Sequence, residues 1–188
     1  MSETIRCFVA IELPEELKNS IDQYVTQLRP LAPKVKWVKA ASMHITLKFL
    51  GNQPPAVVDA VIETLLTDLP DTPPFWLTVS GFGAFPNERR PRVFWLSVRS
   101  EPREPFYALQ AAIEERLERM GIEREQRRFS PHLTLGRVKF PQDFTPLFDF
   151  AQRRPFPEFS FKVNRFVLMR SFLKPQGAEY RPLHVFSL

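Results

Sequence analysis

The 188-residue sequence predicts a single domain of mixed α and β structure, made of two lobes that face one another. Helical and strand-like spacings of apolar residues alternate along the chain, with no Gly/Ser linker between them. One six-residue motif, Ser-x-His-aliphatic-Thr-Leu, occurs twice, at 42–47 and at 130–135, and we call each copy a word. Each copy follows a loop and begins an apolar alternation, and one copy falls in each half of the chain. This pattern indicates a duplicated lobe.

Apolar spacing also defines the expected elements. Amphipathic helices are predicted after Pro14, after Pro54 and before Gly121, because proline favours the first helical turn and glycine the C-terminal end. A shorter helix is predicted near 145–152. Strands are predicted at 7–11, 35–38, 43–50, 75–80, 93–98, 159–169 and 179–187. The glycines of "GFGAF" at 81–85 are expected to break the strand before them and to form a turn.

Charge and cysteine content limit the classes of partner and compartment. Lys plus Arg number 26 against 21 Asp plus Glu, a net charge of +5 that favours anionic partners. A lone Cys7 cannot form an internal disulfide, so the expected location is the reducing cytoplasm. No run approaches the ~20 apolar residues of a transmembrane helix, so no membrane partner is expected. No feature of the sequence indicates an obligate oligomer, and a monomer is expected.

The repeated word places its polar side chains on one face of a strand. Successive strand residues point to opposite faces, so His44 and Thr46 share a face. By the same parity His132 and Thr134 share a face of the second strand, and the aliphatic residues of each word face a core. Packing would specify the aliphatic positions but not a histidine and a threonine opposite them. The pattern therefore favours a paired functional site.

The residues after each word extend these faces differently. Lys48 follows on the face of His44 by parity. Arg137 would lie on the apolar face unless the strand is interrupted. Gly136 precedes it, and a glycine within a strand often marks a β-bulge, which would turn Arg137 to the polar face.

Two imidazoles with hydroxyls and cations nearby suit phosphoryl transfer at a diester. Histidine titrates near ~6.5, so one ring can accept a proton while the other donates one. Threonine hydroxyls and basic side chains suit the charged non-bridging oxygens. A zinc site fits less well, because neither word carries a Cys or a carboxylate at ligand spacing; no metal and no cofactor are predicted. A serine hydrolase also fits less well, since Ser42 and Ser130 lack a glycine-flanked elbow.

The two words, together with the residues around them, resemble the motifs of the two-histidine (2H) phosphoesterases. More narrowly, the chain is similar to the RNA 2′,3′-cyclic phosphodiesterases, formerly called 2′-5′ RNA ligases. The likeness is carried by "RCFVAIELPEEL" at 6–17, "KWVKAASMHITLKFLG" at 36–51, "GFGAFPNERRPRVFWLSV" at 81–98 and "RRFSPHLTLGRVK" at 127–139. It covers nearly the whole chain and is less clear after residue 140.

The resemblance implies a bilobal, duplicated α+β fold. Each lobe would be an antiparallel sheet backed by helices, with the active-site cleft between the lobes. Residues 1–188 would form one 2H phosphoesterase domain of two pseudo-symmetric lobes. The implied reaction is metal-independent hydrolysis of an RNA terminal 2′,3′-cyclic phosphate to a 2′-phosphate, so the implied partner is RNA with such an end.

The resemblance also implies a role for each site residue. His44 would be the proton donor and His132 the proton acceptor. Thr46 and Thr134 would bind phosphate oxygens, and Arg137 matches a basic residue that often follows the second word. The sequence alone does not choose between the two histidines, because the two words are nearly symmetric.

Three alternatives remain open at this point. The protein could act on small cyclic nucleotides, it could join 2′-5′ RNA ends by the reverse reaction, or it could be an RNA-binding module without catalysis. Arg127, Arg128 and Phe129 are compatible with RNA contact or with a charged loop ahead of a core phenylalanine. The third histidine, His184, has no threonine two residues later and is expected to be structural.

Overall fold

The computed structural model describes residues 4–175 and 177–188. Within these residues the chain forms nine strands and four α-helices. The strands are β1 (Ile5–Glu12), β2 (Val35–Trp37), β3 (His44–Gln53), β4 (Phe75–Phe85), β5 (Val93–Ser100), β6 (His132–Val138), β7 (Phe159–Val163), β8 (Arg165–Lys174) and β9 (Gly177–Ser187). The helices are α1 (Glu15–Leu28), α2 (Pro55–Thr67), α3 (Glu104–Arg119) and α4 (Thr145–Arg153).

The strands form two antiparallel sheets, which confirms the expected α+β class. The first sheet has the order β3-β1-β8-β9 and the second the order β2-β6-β5-β4-β7. The first sheet therefore joins the two ends of the chain, whereas the second takes its strands from the middle and from β2. The predicted strand at 159–169 was wrong in one respect, because Asn164 separates β7 from β8 and the two belong to different sheets.

The helices begin and end where the sequence predicts. Prolines stand at or just before the starts of α1 and α2, and Gly121 follows α3 with a φ of 84°, a left-handed value that favours glycine. Leu17, Ile21 and Val25 of α1 are fully or almost fully buried, as their helical spacing requires. One hydrophobic core contains residues from both sheets and all four helices.

The prediction that 81–85 forms a turn was wrong. These residues continue β4, which pairs with β5 as far as Phe85↔Val93. The glycines serve the strand instead: Gly81 has a φ of 65° where the pairing shifts by a bulge. A Cβ on Gly83 would lie 2.4 Å from the Trp95 ring, so the missing side chain makes room for that indole.

Both words contain a β-bulge at their final leucine. Val9 pairs with Lys48 and Ala10 with Thr46, which leaves Leu47 as the extra residue of β3. In β6, Leu135 is the extra residue between the pairs that Phe94 and Trp95 make. Each bulge reverses the alternation of faces beyond it.

The bulges decide where the residues after each word lie. The bulge beside Gly136 is present, and Arg137 is exposed. The expectation that Lys48 shares the face of His44 was wrong, because the bulge at Leu47 turns Lys48 inward and leaves it 3% exposed. Phe49 emerges on the outer face in its place and is 63% exposed.

Candidate active site

The two words line a single cleft with a volume of about 1410 Å³. His44 and Thr46 reach it from β3 of the first sheet, and His132 and Thr134 reach it from β6 of the second. The loop after α3 and Tyr180 of β9 also line it. The predicted histidines and threonines, 88 residues apart in sequence, are thus brought to one concave surface.

Each imidazole is held by a hydrogen bond of the same type to its own backbone carbonyl. His44 Nδ1 lies 3.2 Å from the carbonyl oxygen of Ser42, and His132 Nδ1 lies 2.7 Å from that of Ser130. A carbonyl oxygen only accepts, so Nδ1 carries the proton in both rings and Nε2 is left to exchange one. The recurring serine thus acts through its backbone carbonyl, two residues before each histidine.

His44 lies in a more apolar setting than its half-buried surface suggests. Its ring is tilted against Phe8 at 4.5 Å between centroids, and Tyr180 meets it edge-on at 4.9 Å. This burial lowers the pKa of His44 from its usual 6.5 to about 4, and the hydrogen bond to Ser42 only partly opposes the change. In the ligand-free protein His44 is therefore neutral at pH 7.

His132 has a single aromatic neighbour among the described residues. Phe85 meets its ring edge-on with 5.1 Å between centroids. Phe85 lies at the end of β4, where the sequence had predicted a turn. The two histidines therefore have equivalent backbone partners but differ in the aromatic side chains around them.

The threonine hydroxyls point to the same cleft and remain available. Thr46 and Thr134 are half-buried, and in the described part of the chain neither hydroxyl has a hydrogen-bond partner. Each stands two residues after its histidine, ahead of the bulge, so strand parity holds there. The arrangement suits donation of two hydrogen bonds to an anion beside the imidazoles.

Arg137 of the second sheet and Tyr180 of the first line the same cleft. Burial raises the pKa of Tyr180, while the charges of Arg137 and Arg6 act in the opposite direction, which requires both guanidinium groups to be nearby. Tyr180 was not predicted as a site residue, because no local motif marks it. Its position follows from the long-range pairing of β9 with β8.

Lys48 borders the cleft but is buried, and its ammonium group is used in an ion pair. Its Nζ donates to Glu114 Oε2 of α3 at 2.7 Å and to the Glu123 carbonyl at 2.9 Å. Glu114 is only 4% exposed and also accepts from the backbone N–H of Glu125 at 3.4 Å. This buried ion pair joins β3, α3 and the loop that precedes β6.

The remaining sequence candidates divide between cleft and core. Arg127 and Arg128 are exposed and line the cleft. Phe129 also borders it, and its ring packs against Phe106 and Tyr107. His184 packs against Phe186 and is not part of the cleft lining.

Neither a metal cluster nor a spanning helix is found in the part of the chain that the structure describes. No three His, Cys, Asp or Glu side chains there are grouped so that they could hold a metal ion. No helix among the same residues has the length and apolar content needed to cross a membrane.

A family model described as the 2′-5′ RNA ligase superfamily matches residues 13–172. The chain belongs to this superfamily. Its membership confirms the resemblance to the 2H phosphoesterases that the two words and their flanks carry.

Named relatives of the superfamily match over almost their full length. The RNA 2′,3′-cyclic phosphodiesterase of Thermotoga maritima is 33% identical over 181 residues, which are 96% of this chain and 94% of that protein. The protein of the same name from Methanothermobacter thermautotrophicus is 34% identical over 185 residues, with 98% and 99% covered. The structure of E. coli LigT complexed with 3′-AMP has a TM-score of 0.81 at 28% identity and covers 99% of both chains.

Proposed function

We propose that this protein hydrolyses the terminal 2′,3′-cyclic phosphate of RNA to a 2′-phosphate by a two-histidine acid/base mechanism. The observation that carries the proposal is the pair of imidazoles on one cleft, each with Nδ1 bound to a carbonyl and Nε2 left free. The names of the superfamily members described above support the choice of substrate.

In the proposed reaction the two histidines exchange protons with opposite partners. His132 Nε2 accepts a proton from water as the water oxygen forms a bond to phosphorus. The bond from phosphorus to the 3′ oxygen breaks, and His44 Nε2 donates its proton to that oxygen. The product is a 2′-phosphate beside a 3′-hydroxyl, and no metal ion is required to balance the step.

Charge develops on the non-bridging oxygens as the new bond forms. Thr46, Thr134 and Arg137 are the proposed donors to these oxygens, since their polar groups line the same cleft as the imidazoles. The Ser42 carbonyl at Nδ1 favours the imidazolium form of His44, the form from which this ring donates its proton.

The lowered pKa of His44 must rise on substrate binding if this residue is the proton donor. A proton donor must carry a proton when the substrate is bound, yet His44 of the ligand-free protein is neutral at pH 7. A bound phosphate anion favours the imidazolium by direct attraction, and we infer that substrate binding raises the pKa of His44. Activity falls with rising pH as the proton donor loses its proton. This fall should therefore occur at a higher pH in the profile of kcat than in that of kcat/KM.

The test uses the three histidines as a matched set. Wild-type protein with EDTA should convert an oligoribonucleotide with a 2′,3′-cyclic end to the 2′-phosphate. The His44→Gln and His132→Gln variants should each lose about 10²–10⁴-fold in kcat, the range for general acid or base catalysis. His184→Gln, outside the cleft, should retain wild-type turnover. Full activity of both cleft variants, or release of a 3′-phosphate, would overturn the proposal.

The same site could also join two RNA ends. In that reaction a 5′-hydroxyl takes the place of water: His132 Nε2 accepts its proton as its oxygen bonds to phosphorus. The bond from phosphorus to the 3′ oxygen breaks, His44 Nε2 donates a proton to that oxygen, and the two ends are joined through a 2′-5′ bond. Incubation of a cyclic-ended oligonucleotide with a 5′-hydroxyl oligonucleotide would reveal a joined product. Its loss in the His44→Gln and His132→Gln variants would assign it to this site.

A further inference from the structure

The cleft is larger than the reaction at a single cyclic phosphate requires. Its volume of about 1410 Å³ exceeds the roughly 300–1,000 Å³ of pockets that hold one small molecule. The histidines and threonines line one part of it, and the loop 123–129 lines another. This loop, which we call the basic loop, carries Arg124, Arg127 and Arg128.

The arginines of the basic loop differ in their availability. Arg124 is paired with Glu118 of α3 at 3.2 Å. Arg127 and Arg128 are exposed, and neither forms an ion pair with any residue in the ranges 4–175 and 177–188. Two guanidinium groups on the cleft wall are thus free to bind an anion. The acids of the same loop, Glu123 and Glu125, use their backbone or side-chain atoms to hold the loop in place.

The basic loop is fixed to the protein at several points. The buried pair of Lys48 and Glu114 binds the Glu123 carbonyl and the Glu125 N–H. Glu125 Oε1 in turn accepts from the Arg127 N–H at 3.1 Å. At the other end, the Phe129 ring packs against Phe106 with 5.5 Å between centroids. The arginines are therefore presented from an ordered backbone, which reduces the entropy lost when a ligand binds.

From these observations we propose that Arg127 and Arg128 bind the phosphodiester backbone of the nucleotides that precede the cyclic end. The inference rests on the proposed function, which requires the cyclic phosphate to lie between the two histidines. A cyclic phosphate occupies the 3′ end, so the rest of an RNA strand extends only in the 5′ direction. The basic loop lines the same cleft, and guanidinium groups on a fixed backbone suit successive phosphates.

The test compares two substrates that differ only in upstream phosphates. Adenosine 2′,3′-cyclic phosphate has none, whereas a ten-residue oligoribonucleotide with the same end has nine. The measured quantity is the ratio of kcat/KM for the oligonucleotide to kcat/KM for the mononucleotide. In the Arg127→Gln/Arg128→Gln double variant this ratio should fall about tenfold or more, because each lost contact is a charge-assisted hydrogen bond.

Salt dependence separates local contact from general attraction. For the oligonucleotide, log(kcat/KM) falls as log[salt] rises. Loss of two single-strand phosphate contacts should make this slope less negative by about 1.4. The matched control is Arg89→Gln/Arg90→Gln, which removes the same charge from exposed residues outside the cleft lining. Its ratio should equal that of the wild type.

Two results would overturn the inference: an unchanged ratio in the basic-loop variant, even where both substrates lose activity equally, or an equal fall of the ratio in the control variant. Failure of the proposed function gives a different result, since the wild-type protein would then leave the cyclic end of the oligonucleotide unopened. The two failures are therefore distinguishable in one set of measurements.

Discussion

Strands β3 and β6 carry the same word on the same backbone, but they use the residues after it differently. In both strands the leucine that ends the word is a bulge whose carbonyl accepts a hydrogen bond from outside the local pairing. Gln110 Nε2 donates to Leu47 O at 3.3 Å, and the Val38 N–H donates to Leu135 O at 2.8 Å. The next position turns inward, and the one after that faces the cleft.

The inward position shows the difference most clearly. In β3 it is Lys48, which reaches Glu114 and anchors the basic loop. In β6 it is Gly136, where a Cβ would lie 2.7 Å from Val35 Cγ1 and 3.0 Å from Trp37 Cε3. The cleft-facing position is Phe49 in the first strand and Arg137 in the second. A repeated backbone can therefore hold two His-x-Thr pairs of the same geometry while the residues after them take on separate supporting tasks.

The largest effect on this comparison is expected from breaking the inward pair of β3. Lys48→Met leaves the Glu114 carboxylate buried without its cation, which costs about 3–5 kcal/mol in the free energy of unfolding measured with urea. The Lys48→Met/Glu114→Leu double variant should recover most of this loss, since two apolar side chains can replace a buried pair. A single variant as stable as the wild type would contradict the role given to the pair.

The double variant also sharpens the comparison. It lacks the hydrogen bonds that hold Glu123 and Glu125, so the basic loop is less ordered. We expect its preference for the oligonucleotide over the mononucleotide to fall even where its stability is regained. Retention of full preference would show that the loop keeps its position without this anchor.

The unequal settings of the two histidines give the next effect. The pKa of His44 is about 4 in the folded protein and 6.5 when unfolded, so only the unfolded state gains this proton between those values. The contribution to the free energy of unfolding therefore falls as pH decreases from 6.5 to 4, by up to about 3 kcal/mol. His44→Gln should lose less stability than the wild type between pH 7 and pH 4.5 in urea unfolding. Identical losses would contradict the lowered pKa.

The smallest effect concerns the threonines, whose settings are most alike. Thr46→Val and Thr134→Val each remove one hydroxyl donor at nearly constant volume. Each should lower kcat for the cyclic-ended oligonucleotide by about tenfold to a hundredfold, as expected for a hydrogen bond to a charged group. Similar losses support equal use of the two halves. A loss confined to one variant would show that a single threonine stabilises the phosphate.

Local signals in the sequence predict much of the fold and the central pairs of the site. Helix periodicity, with proline and glycine at the ends, locates α1, α2 and α3, and strand parity places each threonine with its histidine. The bulge before Arg137 was predictable because Gly136 marks it. The bulge at Leu47 carries no such mark, since a leucine in an apolar run looks like an ordinary core residue, and Lys48 was misplaced for that reason. The signal that could have revealed it is the equal spacing of Phe49 and Arg137, each of which stands five residues after its histidine.

Other features depend on contacts between distant parts of the chain. Tyr180 lies beside His44 because β9 pairs with β8 and β8 with β1, and no local pattern encodes this order. Phe85 reaches His132 because "GFGAF" remains a strand, whereas glycine content favoured a turn. Glu114 was hidden on the buried side of an amphipathic helix. The lowered pKa of His44 likewise requires the tertiary enclosure by Phe8 and Tyr180.

The paired bulges also bear on how such a protein can diversify. Because each bulge returns the fifth residue after the histidine to the outer face, positions 49 and 137 meet the cleft without contributing to the buried core. Surface substitutions of this kind usually change stability by less than about 0.5 kcal/mol. A new side chain at position 49 can therefore alter what the cleft accepts while the two words, the proposed phosphate donor Arg137 and the core remain unchanged. Selection for a new substrate would find its least costly first steps there.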